Sequence, residues 1–166
     1  MEDEQSVQQQ YTINNNNYEK EILEIITDAP FFNLNNQQFQ AKVTYVYDGD
    51  TIHCVFALFQ NMFKWRCRLA HIDTPELRTK NLTEKQHGYA VKEKVKELLL
   101  GKIVTLYALE FDKYGRLLVE IEIENPDSIE RETVPTIRVH EWLLSNNYAY
   151  KYEGKTKKEW VFNDTK

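Results

Sequence analysis

The chain has little cysteine, no apolar run long enough to cross a bilayer, and no surplus of basic residues. Its two cysteines, Cys54 and Cys67, form neither a disulfide framework nor a zinc-ligand spacing. None of the four histidines, His53, His71, His87 and His140, is paired with another at metal-ligand spacing, so imidazole chemistry is not expected. The absence of a long apolar run excludes a membrane-spanning helix. The start, Met1-Glu2-Asp3-Glu4-Gln5, is not basic and leads into no apolar stretch, which excludes a secretory signal and makes the expected location intracellular. A formal charge of −5 is the wrong sign for a surface that collects phosphates indiscriminately.

The charge is unevenly distributed. Residues 1 to 38 carry seven acids against the single base Lys20, a net of −6, which leaves +1 for the remainder. That remainder is itself divided, with acids crowded between Glu120 and Glu132 and bases at Arg66, Arg68, Lys113, Arg116 and Lys151 to Lys158. A focused basic cleft on an acidic body is compatible with this distribution.

Residues 1–38 are rich in Asn and Gln and have little to bury, so they read as a flexible acidic extension. Within them, Tyr18 to Ile26 has the apolar content of a short amphipathic helix, and Phe31, Phe32 and Leu34 are candidates to dock on the domain that follows. Residues 39–166 form that domain. Val43, Tyr45 and Tyr47 alternate with Thr44 and Val46, and Asp48-Gly49 predicts a two-residue hairpin turn into a second strand with Ile52, Cys54, Phe56 and Leu58 on one face. A third strand, Phe63 to Ile72, places Phe63, Trp65, Cys67 and Leu69 opposite Lys64, Arg66 and Arg68. A turn at Gln60-Asn61 would set Cys54 directly across from Cys67, both as packed thiols.

Thr83 to Gln86 reads as a capping box, and Val91, Val95, Leu98 and Leu99 continue at helical spacing to Gly101. Strands over Ile103 to Phe111 and Leu117 to Glu124 follow, the second with Val119, Ile121 and Ile123 buried and its glutamates wet. A charged loop from Asn125 to Thr136 leads to a helix from Arg138 to Asn146. Three hairpin-linked strands, a helix, two strands and a helix give a mainly β fold with α: a five-stranded OB-type barrel with two to three helices.

Three runs carry the chemistry: Asp48-Gly49-Asp50-Thr51, Asp73-Thr74-Pro75-Glu76 with Arg68 upstream, and Asp112-Lys113-Tyr114-Gly115-Arg116. Each alone also fits a turn. Asp50 opens a strand whose even positions point inward, where a carboxylate needs a cation or a donor. Pro75 stiffens the turn that holds Asp73 and Glu76. Together the runs supply three carboxylates suited to a hard metal ion and two arginines suited to a phosphate, the equipment for cutting a phosphodiester.

In their order and in the elements that carry them, these runs resemble the staphylococcal nuclease (thermonuclease-like) family over roughly Gln40 to Tyr152. The resemblance implies an OB-type barrel and calcium-dependent hydrolysis of DNA or RNA, with scission of the P–O5′ bond. It implies Ca2+ ligation by Asp50, Asp73 and the main-chain oxygen of Thr74, catalytic roles for Arg68, Glu76 and Arg116, and substrate-phosphate contacts from Lys113 and Tyr114. The expected partner is a single-stranded DNA or RNA substrate, cut internally, with no membrane and a monomeric protein. The alternative is a catalytically silent OB-fold module that only binds nucleic acid or protein. Tyr148, Tyr150, Tyr152 and the tail lysines Lys151, Lys155, Lys157 and Lys158 fit either a stacking and phosphate-tracking edge or a packed aromatic cluster with solvated lysines.

Overall fold

Alternating apolar residues turn five strands into a closed wall around one core, in a computed structural model that describes residues 17–124, 135–154, 157 and 160. The chain divides into two units, Met1–Phe32 and Asn33–Lys166. In the first, residues 17–25 are helical (α1). In the second, β1 (Gln38–Val46), β2 (Thr51–Leu58), β3 (Asn61–Leu69), β4 (Ile72–Asp73), α2 (Leu82–Leu99), β5 (Ile103–Phe111), β6 (Leu117–Glu124), β7 (Thr136–Arg138), α3 (Val139–Ser145) and β8 (Tyr150–Lys151) follow in order. The large sheet runs β3-β2-β1-β5-β6-β7, and a parallel pairing of β3 with β6 closes the first five strands into a barrel. This is the mixed, OB-type architecture that the element order predicts. Among the described residues no helix is long and apolar enough to cross a membrane.

The barrel is filled from every strand: Val43, Ile52, Cys54, Phe56, Cys67, Leu106, Val119 and Ile121 are all buried, and Val95 and Leu99 of α2 join the same core. Leu34 is buried in it as well. The charged loop expected at Asn125 to Thr136 lies outside the described residues up to position 134; Thr136–Arg138 is strand, and α3 begins one residue later than the sequence predicts.

Four local readings are corrected. In β1 a bulge between Val43 and Tyr45 breaks the strict alternation, so Val43 and Val46 face the core and Tyr45 faces out. The β2–β3 turn sits at Phe59-Gln60, both with positive φ (49° and 63°), as a primed two-residue turn requires. The register therefore slips by two positions: Cys54 faces Trp65, and Cys67 faces Ile52. Because the slip is even, both thiols remain inward, buried and free. At the start of α2 the N-cap is Asn81, whose side chain accepts the Glu84 N–H at 3.1 Å, in place of a Thr83 capping box.

The fourth correction concerns Asp48-Gly49. β1 ends at Val46 and β2 begins at Thr51, so the connection spans four residues, and Gly49 is not among the positive-φ glycines. Asp48 organises this turn with its side chain: Oδ1 accepts the N–H groups of Asp50 (3.1 Å) and Thr51 (2.7 Å).

Candidate active site

Gly49 is needed for proximity. A Cβ there would lie 2.7 Å from both Thr74 Oγ1 and Val91 Cγ1. The missing side chain is what lets the Asp48–Asp50 turn rest on Thr74, so Asp50 and the Asp73-Thr74 pair share one wall. Gly49→Ala should cost about 1–3 kcal/mol as overpacking between two β-branched neighbours, measured by urea unfolding.

The strand pairings do the remaining positioning. Across β2–β3, Thr51 faces Arg68. Across the closing β3–β6 pair, Arg68 faces Leu118, two residues beyond Arg116. These two ladders bring residues far apart in sequence onto one cleft of about 1020 Å³, lined by Asp50, Arg68, Thr74, Glu76, Arg116 and Lys157 among others. That is room for a nucleotide-sized ligand.

At its floor lie two buried carboxylates and one guanidinium. Arg68 Nη2 is 2.9 Å from Asp50 Oδ2 and 3.0 Å from Asp73 Oδ1. Arg68 also donates to the carbonyls of Leu69 (3.3 Å) and Ile72 (3.1 Å), and its guanidinium lies over the Tyr152 ring, 5.5 Å from the centroid. Asp50 Oδ1 accepts from the Thr51 hydroxyl at 2.9 Å, and Asp73 Oδ2 accepts from the Tyr150 hydroxyl at 2.8 Å. One guanidinium shared between two carboxylates leaves negative charge in a desolvated place. Burial accordingly pushes Asp50 up to about 7, against the pull of Arg68 and with a further push from Asp48 and Asp73.

Asp50, Asp73 and Thr74 are 6%, 2% and 4% exposed, so this corner of the cleft is walled by oxygen-bearing side chains with almost no water of their own. The donor set is hard, and the excess negative charge is what a divalent cation relieves, so these residues fit a calcium ion. Among the described residues no three His, Cys, Asp or Glu side chains cluster as a metal site; the candidate set is two carboxylates and a main-chain oxygen.

Glu76 stands at the rim. Its backbone N–H donates to Glu84 Oε1 of α2 at 3.1 Å, and its carboxylate pairs with Lys157, whose Nζ is also 3.0 Å from Asp73 Oδ1. Burial opposes the charge on Lys157, but the hydrogen bonds it donates to Glu76 and Asp73 outweigh it and raise its pKa.

Arg116 closes the opposite side. Asp112 Oδ1 accepts the N–H groups of Tyr114 and Arg116, each at 2.9 Å, while Oδ2 accepts from Arg116 Nε at 2.7 Å. Burial works to raise the Asp112 pKa, yet these accepted hydrogen bonds win and lower it. Arg116 Nη1 reaches Thr51 Oγ1 at 3.3 Å, and among the described residues its Nη2 makes no hydrogen bond. Lys113 and Arg116 both lie over the Tyr114 ring, with Tyr114 65% exposed at the mouth.

Of the site residues singled out from the sequence, Asp50, Arg68, Thr74, Glu76, Lys113, Tyr114 and Arg116 line this cleft, and Asp73 lies buried behind it, joined through Arg68. What the sequence reading missed is the C-terminal wall. Tyr150 and Tyr152, read there as a stacking or packed pair, support Asp73 and Arg68, and Lys157 reaches the carboxylates. Tyr148 packs against Trp142 with ring centroids 5.5 Å apart. The alternation of Tyr150 and Tyr152 was the available signal; their partners Asp73 and Arg68, far earlier in the chain, were not. Lys155 and Lys158 lie outside the described residues.

The family described as staphylococcal nuclease homologue matches residues 66–162. An uncharacterized protein of Methanocaldococcus jannaschii is 30% identical over 137 residues, covering 70% of this chain and 61% of its own. A protein of Escherichia coli O157:H7 named as an uncharacterized endonuclease is 29% identical over 112 residues, covering 68% of this chain and 60% of its own. The chain therefore spans about 60% of the length of the curated relatives it matches. With more than half of its residues inside the family match and the fold built as that match requires, the chain belongs to the staphylococcal nuclease homologue family.

Proposed function

We propose that this chain is a calcium-dependent nuclease that hydrolyses single-stranded DNA or RNA, carried by the domain from residue 39 onward. The observation that supports it most is the convergence of Asp50, Asp73 and Arg68 with Arg116 on one cleft, two arginines beside two buried and under-neutralised carboxylates. Asp50, Asp73 and the Thr74 main-chain oxygen would hold the ion. When bound, calcium supplies positive charge to the carboxylates and to a phosphate oxygen, polarising the phosphorus toward attack.

The chain's own groups do the rest. Glu76, on a turn anchored by Glu84, orients or deprotonates the attacking water. Arg116, held from behind by Asp112, aims its unengaged nitrogen at the phosphate as charge grows on the non-bridging oxygens. Arg68, relieved of its double load, donates to the same phosphate. Lys113 and Tyr114 at the mouth meet the neighbouring phosphate. The bond broken would be P–O5′.

The test is to incubate the chain with heat-denatured DNA and with RNA, with and without calcium, beside Glu76→Ala. Shortened products are expected only from the parent with calcium. A chelator should abolish them. Binding without shortening would instead favour the silent OB-fold module.

Asp112 gives a sharper prediction, because Asn in its place keeps the acceptor for the two backbone N–H groups and loses the charged one for Arg116 Nε. A loosened guanidinium should lower kcat by as much as about 100-fold. Stability follows the same carboxylate. A depressed folded-state pKa contributes stability that is present above the ordinary aspartate value and lost as pH falls through the folded one. The stability gap between parent and Asp112→Asn, read by urea unfolding, should be widest at neutral pH and narrow in acid.

A further inference from the structure

β3 enters the cleft with Arg68 and leaves it with Arg66 and Lys64 on the same outward face, since alternate strand residues share a face and their partners Thr51, His53 and Val55 on β2 point the same way. Arg68 is consumed by carboxylates. Arg66 and Lys64 are exposed, and among the described residues neither has an ion-pair partner, whereas Arg68, Lys94, Lys96, Arg116, Arg138 and Lys157 all do. Arg66 lines the same cleft, and its Nη2 donates to the Tyr114 carbonyl at 3.5 Å. On the same rung, His53 faces Arg66 and Tyr45 faces His53. Their rings are 5.1 Å apart, and Tyr45, 46% exposed, has the Lys92 ammonium 6.0 Å from its centroid. Burial, and then the positive field of Lys64 and Arg66, lower the His53 pKa.

We infer that the outward face of β3, with Lys64 and Arg66 as phosphate contacts and Tyr45 as a stacking platform, is a binding track for the single-stranded polynucleotide that runs out of the cleft. Charges on alternate strand residues recur about every 7 Å, which matches successive phosphates of a stretched single strand and gives a basic groove beside an aromatic surface, the two parts sequence-independent strand binding uses. An acidic peptide would take the charges and leave the aromatic pair idle. The inference rests on the nuclease reading for the identity of the strand, and it adds where the uncut portion lies.

The test measures binding of a fluorescent 12-nucleotide oligothymidylate to the 166-residue chain carrying Glu76→Gln, with a chelator present, between 50 and 200 mM salt. Each phosphate contact on a single strand contributes about 0.7 to the slope of log K against log salt, so Lys64→Gln with Arg66→Gln should flatten the slope by about 1.4. Lys64→Arg with Arg66→Lys should retain the parent slope. Tyr45→Ala should weaken binding about 5- to 150-fold at an unchanged slope. A slope unmoved by the double Gln variant, or poly-glutamate bound as tightly as the oligonucleotide, would overturn the track. Because this measurement needs no cleavage, a parent chain that cuts nothing refutes the nuclease reading alone, and one that cuts with an unmoved slope refutes the track alone.

Discussion

Arg116→Ala should lower kcat/KM on single-stranded DNA by about 10²- to 10³-fold, on the order of 3 to 4 kcal/mol of barrier, and Arg116→Lys should restore little of it. The reason is the fork. Arg116 is a bracketed group: Nε is held by Asp112 Oδ2 at 2.7 Å and Nη1 reaches Thr51 Oγ1 at 3.3 Å, so the plane of the guanidinium is fixed before any substrate arrives. An ammonium has no second arm with which to keep the Asp112 contact while donating to a phosphate. Preorganisation is therefore lost even though the charge is kept. Steady-state cleavage of a defined oligonucleotide, with circular dichroism to confirm the fold, measures it. An Arg116→Lys variant as active as the parent would remove Arg116 from the proposed chemistry.

The parts of this site that were legible in the sequence are those whose chemistry and local backbone coincide. Asp73-Thr74-Pro75-Glu76 announces a stiff turn bearing two acids, and Leu117 to Glu124 announces a strand with one buried face; both are where the sequence puts them, but the glutamates expected to be wet are half-buried at Glu120 and Glu122, which pair with Arg138 and Tyr107. Asp48-Gly49 was legible as a connection and misread as a turn type. The pattern cannot distinguish a glycine chosen for positive φ from one chosen so that Thr74 can approach, and only the neighbour, twenty-five residues away, decides. The β1 bulge hid for a related reason: one extra residue flips the face of all that follow, and Tyr45 looks the same on either side. Arg68 reads as an exposed strand arginine until Asp50 and Asp73 are brought to it, after which it is 8% exposed. Tyr150 and Lys157 were the least legible, because their partners Asp73 and Glu76 meet them through β4–β8 pairing between very short strands.

The arrangement around Arg68 sets the largest stability effect. Arg68→Ala should destabilise the calcium-free chain by about 3–5 kcal/mol, since it strands the desolvated Asp50 carboxylate and leaves Asp73 with Lys157 as its one cation among the described residues. For a chain of this length that corresponds to a fall in Tm of about 6–20 °C. Burial already pushes Asp50 up to about 7 against the pull of Arg68, so losing the guanidinium removes the main influence that favours its charged form. Lys157 does not replace it, because its ammonium contacts Asp73 and Glu76, and among the described residues it makes no ion pair with Asp50. Two further results follow from the same charge count. Asp50→Asn removes one of the two carboxylates, so Arg68→Ala should cost less in that background than alone, a coupling visible in a double-mutant cycle. Saturating calcium should raise the Tm of Arg68→Ala more than that of the parent, because an ion that binds only the folded state stabilises it by mass action and here also supplies the missing charge. With Asp50→Asn the calcium-dependent rise should largely disappear. If instead the cycle were additive and calcium left every Tm unchanged, the two carboxylates would not form a common cation site, and the proposed calcium dependence would fall with them.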